Sequence, residues 1–431
     1  MQFAQKMQDP IESQRRAVSS AARSSFEQRR RGSLDPWAQR PHSPSEGKVI
    51  AIYLDALQGY GADKVVLKIA NGLVHRGLQV ELVLSKVPQS GFANIDPAIQ
   101  VVSLEGSRHT PVRNVAALSR YLKRRQPDIL FSSIHFNNVV ATLALALSGI
   151  RCKLVLRQAN ALQEQFKDYF SPVAVLLHPL TQYAYRRAEV VISPCRAIEA
   201  DLTGFMKVAA HKIQVIYNPT VTQDIAEKAK EPVQHRWLKP DRTYPVIVSV
   251  GRLKPQKDFD MLLRAFERLK SRYSPDAKLI IVGEGPLRGS LETLADKLRI
   301  SDSVHLMGFC KNPYALMAAG DMYVSSSKYE GLPNTVIEAL SLGQKIVATA
   351  CQGGTAEILR YGKYGRLVPV RNPDVMAKSI AEALMNDSRA VPGAALAFEH
   401  EAQVDKYYDL FLNLMNGASF QPSYNLATAA I

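Results

Sequence analysis

The strongest constraint on this chain is an alternation that runs through most of its length. Short apolar runs rich in β-branched residues alternate with longer stretches of helical spacing. Residues 49–54, 78–84, 128–131, 153–156, 189–192 and 213–216 read as strands. Strands buried on both faces and separated by helices form parallel sheets of βαβ units. A polar stretch over 223–244 interrupts the pattern. It then restarts, with strands at 245–250, 278–282, 321–325 and 345–348. The expectation is an α/β protein with two Rossmann-like doubly wound domains facing across a cleft, at 48–222 and 245–396, joined by a linker at 223–244. Ligands of such sheets lie off the carboxyl ends of the strands. A last helical stretch within 397–416 is expected to pack back across the domains, ahead of a loose tail at 417–431.

Composition narrows the class further. A chain of 431 residues, 46% hydrophobic and 22% charged, can bury a large core. No apolar run reaches the roughly 18 residues that a spanning helix needs. The best candidate, 139–150, holds Thr142 and Ser148 and reads as a buried helix. Cys152, Cys195, Cys310 and Cys351 are widely spaced, which suggests neither a zinc knuckle nor a disulfide framework. The first ten residues have no apolar core of a signal peptide, so a reducing, cytoplasmic compartment is expected. The net charge of +15 is uneven: residues 48–240 hold 24 Lys and Arg against 14 Asp and Glu. A basic amino-terminal domain beside a near-neutral one points to an anionic partner there. Residues 1–47, with Arg29-Arg30-Arg31, pattern as a basic extension, disordered or close to a membrane.

Two segments carry chemistry. In Ser249-Val-Gly-Arg-Leu-Lys-Pro-Gln-Lys257 a buried strand ends at Gly251, where backbone must come close to something. Arg252 and Lys257 follow at the strand's carboxyl end, and two cations there suit a diphosphate. In Ser325-Ser-Ser-Lys-Tyr-Glu-Gly-Leu-Pro-Asn-Thr-Val-Ile-Glu338, Pro333 suits the first turn of a helix. The amides of Asn334, Thr335 and Val336 would then form an anion-attracting helix start. Glu330 and Glu338, on either side of it, can grip hydroxyls flanking a diphosphate. No Asp-x-Asp stands at a strand end, so no metal is expected.

Gly251-Arg252 with Lys257, Gly283-Glu-Gly-Pro286, and Glu330 with Glu338 inside Glu-Gly-Leu-Pro-Asn-Thr together resemble the signature set of glycosyltransferase family 4. The resemblance runs over 48–415 and implies a GT-B fold and transfer of a sugar from a nucleotide donor with retention. It implies that Arg252 and Lys257 bind the donor diphosphate and that Glu330 meets the donor sugar. Glu338 would bind the ribose. Gly251, Gly283, Gly331, Leu332, Asn334 and Thr335 would line the donor site, and the loop carrying Phe309 the base. Many members carry Gly-Gly-Ala-Glu in the first loop. This chain reads Gly59-Tyr60-Gly61-Ala62-Asp63, so Gly59 and Gly61 still bracket the turn. Many relatives also place a histidine at a strand end near the reacting sugar. Here Arg157 and Asn160 stand at that strand, and His135 ends the preceding one, a cleft-facing address that makes it a candidate catalytic residue.

The resemblance implies a nucleotide-sugar donor, with a UDP-sugar favoured, and no prosthetic group or metal. The acceptor would be a glycan or lipid-linked sugar in cell-envelope polysaccharide synthesis. Arg113, Arg120 and Lys123-Arg124-Arg125, with the aromatic and basic residues of 166–187, suit the rim of an anionic membrane. The expected location is peripheral, on the cytoplasmic face of the inner membrane. Rival readings are a same-fold nucleotide-sugar epimerase or phosphorylase, or a basic nucleic-acid-binding protein. The latter needs aromatic and basic residues interleaved along exposed strands; none of the strands reads so, and no nucleic-acid partner is expected.

Overall fold

The computed structural model describes residues 47–57, 61–86, 95–104, 110–167, 171–386, 393–418, 420 and 422. Within them lie two parallel sheets. The first joins β1 (Val49–Ala56), β2 (Gln79–Lys86), β3 (Gln100–Ser103), β4 (Ile129–Ser133), β5 (Lys153–Arg157), β6 (Val190–Ser193) and β7 (Ile213–Val215) in the order β3-β2-β1-β4-β5-β6-β7. The second joins β8 (Val246–Val250), β9 (Lys278–Val282), β10 (Val304–Gly308), β11 (Met322–Ser325), β12 (Ile346–Thr349) and β13 (Arg366–Val368) as β10-β9-β8-β11-β12-β13. Both orders reverse after the first strand of their array, between β1 and β4 and between β8 and β11. A crevice opens at each reversal, and ligands of this architecture bind there.

Each sheet is filled by the alternation read from the sequence. Ile50, Ile52 and Leu54 of β1 pack with Val65, Val66 and Ile69 of the helix Gly61–His75. The same core takes in Tyr407, Leu410, Phe411 and Leu414 from the helix His400–Met415. Phe131 and Phe411 meet edge to face, their ring centres 5.5 Å apart. A Cβ at Gly72 would lie 2.5 Å from Val404 Cγ1, so the glycine lets the helices Gly61–His75 and His400–Met415 touch. Truncating Phe411 in such a core costs about 3–5 kcal/mol. In the second sheet, Ile247, Leu279 and Ile281 pack under Phe259, Leu262 and Phe266 of the helix Phe259–Arg272, with Met376 and Ile380 beside them.

Several expectations shift. The strands β3, β10 and β13 carry no continuous apolar run. All three are sheet edges with mostly half-buried positions, so burial never required one. The buried helix expected over 139–150 spans His135–Ser148. The stretch expected to be a polar linker contains the helix Asp224–Ala229 and buries Trp237 and Leu238. Phe420, placed in a loose tail, packs on the first core. The expectations for residues 1–46 lie outside the described residues. Among the described residues, no helix is long and apolar enough to cross a membrane.

Candidate active site

Close backbone contacts shape the carboxyl edge of the second sheet. Gly283 follows β9 at φ +147°, and a Cβ on it would sit 2.0 Å from the Gly251 carbonyl oxygen. Only glycine fits there. Its amide donates to the Gly308 carbonyl at 2.8 Å, which ties the ends of β8, β9 and β10 together. Phe309, directly after β10, is 77% exposed and offers an open ring face beside this junction.

Lys257 closes a short 3-10 turn, Pro255–Lys257, after β8. A Cβ on Gly251 would touch its methylene groups at 3.4 Å, so the side chain lies along the glycine. Its ammonium reaches Glu330 Oε1 at 2.5 Å. The same oxygen accepts from Ser327 Oγ at 2.6 Å. Gln256 Nε2 donates to the Tyr329 carbonyl at 3.0 Å and to Glu330 Oε2 at 3.4 Å. Arg252 is half-buried in the loop between β8 and this turn. Lys257 and Glu330, 73 residues apart in the chain, therefore meet at the mouth of the reversal between β8 and β11.

The helix Asn334–Ser341 starts one residue later than the sequence suggests. Pro333 is its N-cap, with extended dihedrals, rather than part of its first turn. The Val336 amide donates to the Pro333 carbonyl at 3.1 Å, so the open amides are those of Asn334 and Thr335. The Thr335 hydroxyl is engaged by Tyr323 Oη at 2.8 Å, and Leu332 packs on Gly354, so both side chains serve the fold. Glu338 is half-buried on the helix and accepts from Tyr314 Oη at 3.4 Å. Burial pushes its carboxyl above the usual carboxylate range, and the ammonium groups of Lys68 and Lys64 pull it part of the way back. Burial in turn holds Lys68 below the usual lysine range.

The two sheets meet at this helix start. Gly331 forms an isolated bridge with Asn160, and a Cβ on Gly331 would lie 1.8 Å from the Ala159 carbonyl oxygen. Glu357 accepts from the Arg196 amide at 2.8 Å and from Tyr217 Oη at 2.6 Å. Gly61, which opens the helix Gly61–His75, faces Asn334, its Cβ position 3.9 Å from Asn334 Nδ2. Gly59 and Tyr60 lie outside the described residues.

His135 is the first residue of the helix His135–Ser148, directly after β4. The preceding Ile134 is held at φ +75°, a strained conformation for a β-branched residue, at the reversal of the first sheet. The imidazole is buried between Phe136 and Phe166, ring centres 4.2 and 6.1 Å away. Burial lowers its pKa to about 4, so it is neutral at pH 7. Arg157 ends β5, 1% exposed, and donates to Ser133 Oγ and Asn218 Oδ1. Asn218, Gln256, Ser327 and Tyr314 were not singled out from the sequence. The one signal for Asn218 is its place just past β7, at the carboxyl edge of a parallel sheet. Among the described residues no cluster of three or more His, Cys, Asp or Glu side chains could hold a metal ion.

Two Rossmann-like sheets with their carboxyl edges turned to one cleft define a GT-B glycosyltransferase fold. Residues 60–224 match the family described as glycosyltransferase family 4, and residues 230–395 the glycosyl transferases group 1. The chain belongs to glycosyltransferase family 4. It is 30% identical over 267 residues to an uncharacterised glycosyltransferase of Methanocaldococcus jannaschii, covering 58% of this chain and 65% of that protein. It is also 30% identical over 261 residues to the N-acetylgalactosamine-N,N'-diacetylbacillosaminyl-diphospho-undecaprenol 4-alpha-N-acetylgalactosaminyltransferase of Campylobacter jejuni, covering 60% of this chain and 68% of that enzyme. The chain thus spans about two thirds of the relatives it matches. The structure of HepE from Anabaena in complex with UDP-glucose superposes with a TM-score of 0.61 at 19% identity, covering 86% of this chain and 97% of that one.

Proposed function

We propose that this enzyme moves a sugar from a UDP-sugar to a hydroxyl of a lipid-linked glycan in envelope polysaccharide synthesis, with retention and without a metal. One observation carries the reading: Lys257, Glu330 and the open start of the helix Asn334–Ser341 surround a single mouth at the carboxyl ends of β8 and β11. As the glycosidic bond breaks, negative charge grows on the departing diphosphate and positive charge on the sugar ring. Catalysis needs donors already aimed at the leaving oxygens. Arg252, Lys257 and the amides of Asn334 and Thr335 supply them. In the free enzyme Glu330 holds the Lys257 ammonium; with donor bound, Lys257 turns to phosphate and Glu330 to a sugar hydroxyl. Glu338, its negative charge disfavoured by burial, accepts from the ribose hydroxyls. The exposed Phe309 ring stacks on the base.

The name of the Campylobacter relative supports a lipid-linked acceptor, and the UDP-glucose complex of HepE supports UDP. The basic face of the first domain fits a membrane. The helix Pro111–Arg125 exposes Val112, Arg113, Arg120, Lys123 and Arg124. The helix His135–Ser148, which packs on it, and Ser171–Arg187, which packs on His135–Ser148 in turn, expose Phe136, Leu147, Val175 and Tyr183. Exposed apolar side chains and cations on these packed helices suit an anionic bilayer surface on the cytoplasmic side.

The test is a panel of nucleotide sugars with a lipid-linked glycan acceptor and proton NMR of the product's anomeric centre. Transfer from a UDP-sugar with the donor's configuration kept, undiminished by a chelator, is expected. Inversion, or loss of turnover on chelation, would overturn the corresponding part.

A further inference from the structure

A chain of polar contacts links the first sheet to the helix start. Arg157, at the end of β5, is fully buried, and among the described residues no carboxylate pairs with it. It donates from Nη1 to Ser133 Oγ at 3.1 Å and from Nη2 to Asn218 Oδ1 at 2.5 Å. Asn218 Nδ2 then donates to the Leu332 carbonyl at 3.1 Å and to Asn334 Oδ1 at 2.7 Å. Thr220 Oγ1 donates to the same Asn334 oxygen at 3.1 Å. Asn334 Nδ2 is left pointing at Gly61, the exposed first residue of the helix Gly61–His75. Among the described residues nothing accepts a hydrogen bond from it.

The direction of this chain is not arbitrary. A side-chain amide can face either way, because its oxygen and nitrogen have nearly the same shape. A guanidinium can only donate. Arg157 therefore forces the oxygen of Asn218 toward itself and the nitrogen of Asn218 toward Asn334. That in turn fixes the oxygen of Asn334 inward and its nitrogen outward. The last member of the relay presents an N–H donor beside two helix starts, where an anionic oxygen is already favoured.

We propose that Asn334 Nδ2 binds a phosphate oxygen of the nucleotide donor, and that Arg157 and Asn218 are positioning residues that set its polarity. This rests on the reading of the cleft as a diphosphate site. It also explains an expensive feature, a guanidinium buried without a countercharge. The first domain thereby completes the phosphate site of the second.

The experiment is titration calorimetry of the full-length protein and two variants, with UDP and with uridine. Asn218→Asp keeps size and gives Arg157 a carboxylate, but it removes the donor that holds Asn334. The Asn334 amide should then turn its nitrogen inward and its oxygen toward the phosphate. UDP affinity should fall about tenfold, the scale of one hydrogen bond to a charged group, while uridine affinity stays. A merely structural role would move both ligands or the melting temperature. Asn334→Asp, at a half-buried position that should fold normally, is expected to show the same phosphate-specific loss. Wild-type binding of UDP with unchanged affinity in both variants overturns the relay and leaves the cleft reading standing. Absence of binding by the wild type to UDP, ADP and GDP overturns both.

Discussion

The two sheets share the order of their first six strands but build their cleft edges by different means. On the carboxyl-terminal side the edge is made of backbone in contact with backbone: Gly283 on Gly251, Gly285 on Leu253 and Gly353 on Glu330. On the amino-terminal side the edge is made of buried polar side chains and one strained residue: Arg157, His135, Asn218 and Ile134 at φ +75°. Main chain held this closely leaves room and amides for a phosphate. Buried side chains instead set shape and hydrogen-bond polarity, and they can differ widely among proteins that share the donor chemistry. The lesson is that backbone contacts hold the carboxyl-terminal edge open for a phosphate, whereas buried side chains set the hydrogen-bond polarity of the amino-terminal one.

Breaking the carboxyl-terminal half should have the largest effect. Lys257→Ala removes a cation aimed at the leaving group and should raise the barrier by about 2–4 kcal/mol. Steady-state turnover of the variant would then be two to three orders of magnitude lower, and wild-type turnover would refute the assignment. Next comes the amino-terminal half. The folded protein keeps His135 neutral down to about pH 4, whereas the ordinary value is 6.5. Between these values the unfolded chain binds more protons, so stability present above pH 6.5 is lost as pH falls toward 4. The contribution is at most about 3 kcal/mol. Urea unfolding at pH 7 and at pH 4.5 should show wild type losing more stability than His135→Asn. Equal losses would refute it.

The seam between the halves ranks third. Gly331→Ala puts a methyl where the Ala159 carbonyl lies, which costs about 1–3 kcal/mol of overpacking. The melting temperature should drop and the donor KM should rise together. A change in neither would show that the bridge is not needed. The smallest effect belongs to the basic surface. Arg124→Ala should weaken partitioning onto phosphatidylserine-containing vesicles by about 1 kcal/mol, lessening as salt rises. No dependence on anionic lipid would remove the membrane proposal.

How much of this was legible in the sequence follows the same division. Central strands such as β1 and β9 must be apolar on both faces, so the run 278–282 coincides with a strand end to end. Edge strands such as β10 and β13 have one flank open, and Val304–Gly308 gave no such run. The motif residues Arg252, Lys257, Glu330 and Glu338 stand out because glycine and proline between them leave few other conformations. The structure places Lys257 and Glu330 in direct contact. His135 was legible as a strand-end residue, but not its aromatic enclosure, which depends on Phe166 from another helix. Asn218 was invisible because an asparagine gains its meaning only from the guanidinium and the helix it sits between. The Pro333 error of one residue reflects how proline, with its fixed φ, suits both an N-cap and the first turn.

The docking of His400–Met415 on the first sheet has a consequence for biosynthesis. A ribosome finishes β7 at Val215 long before it reaches Tyr407 and Phe411, which complete the core around Phe131. At about 5–20 residues per second the delay is on the order of ten to forty seconds. During that interval the nascent first domain carries an uncovered apolar flank, so chaperone demand should concentrate there, and truncation before the final helix should yield insoluble polypeptide.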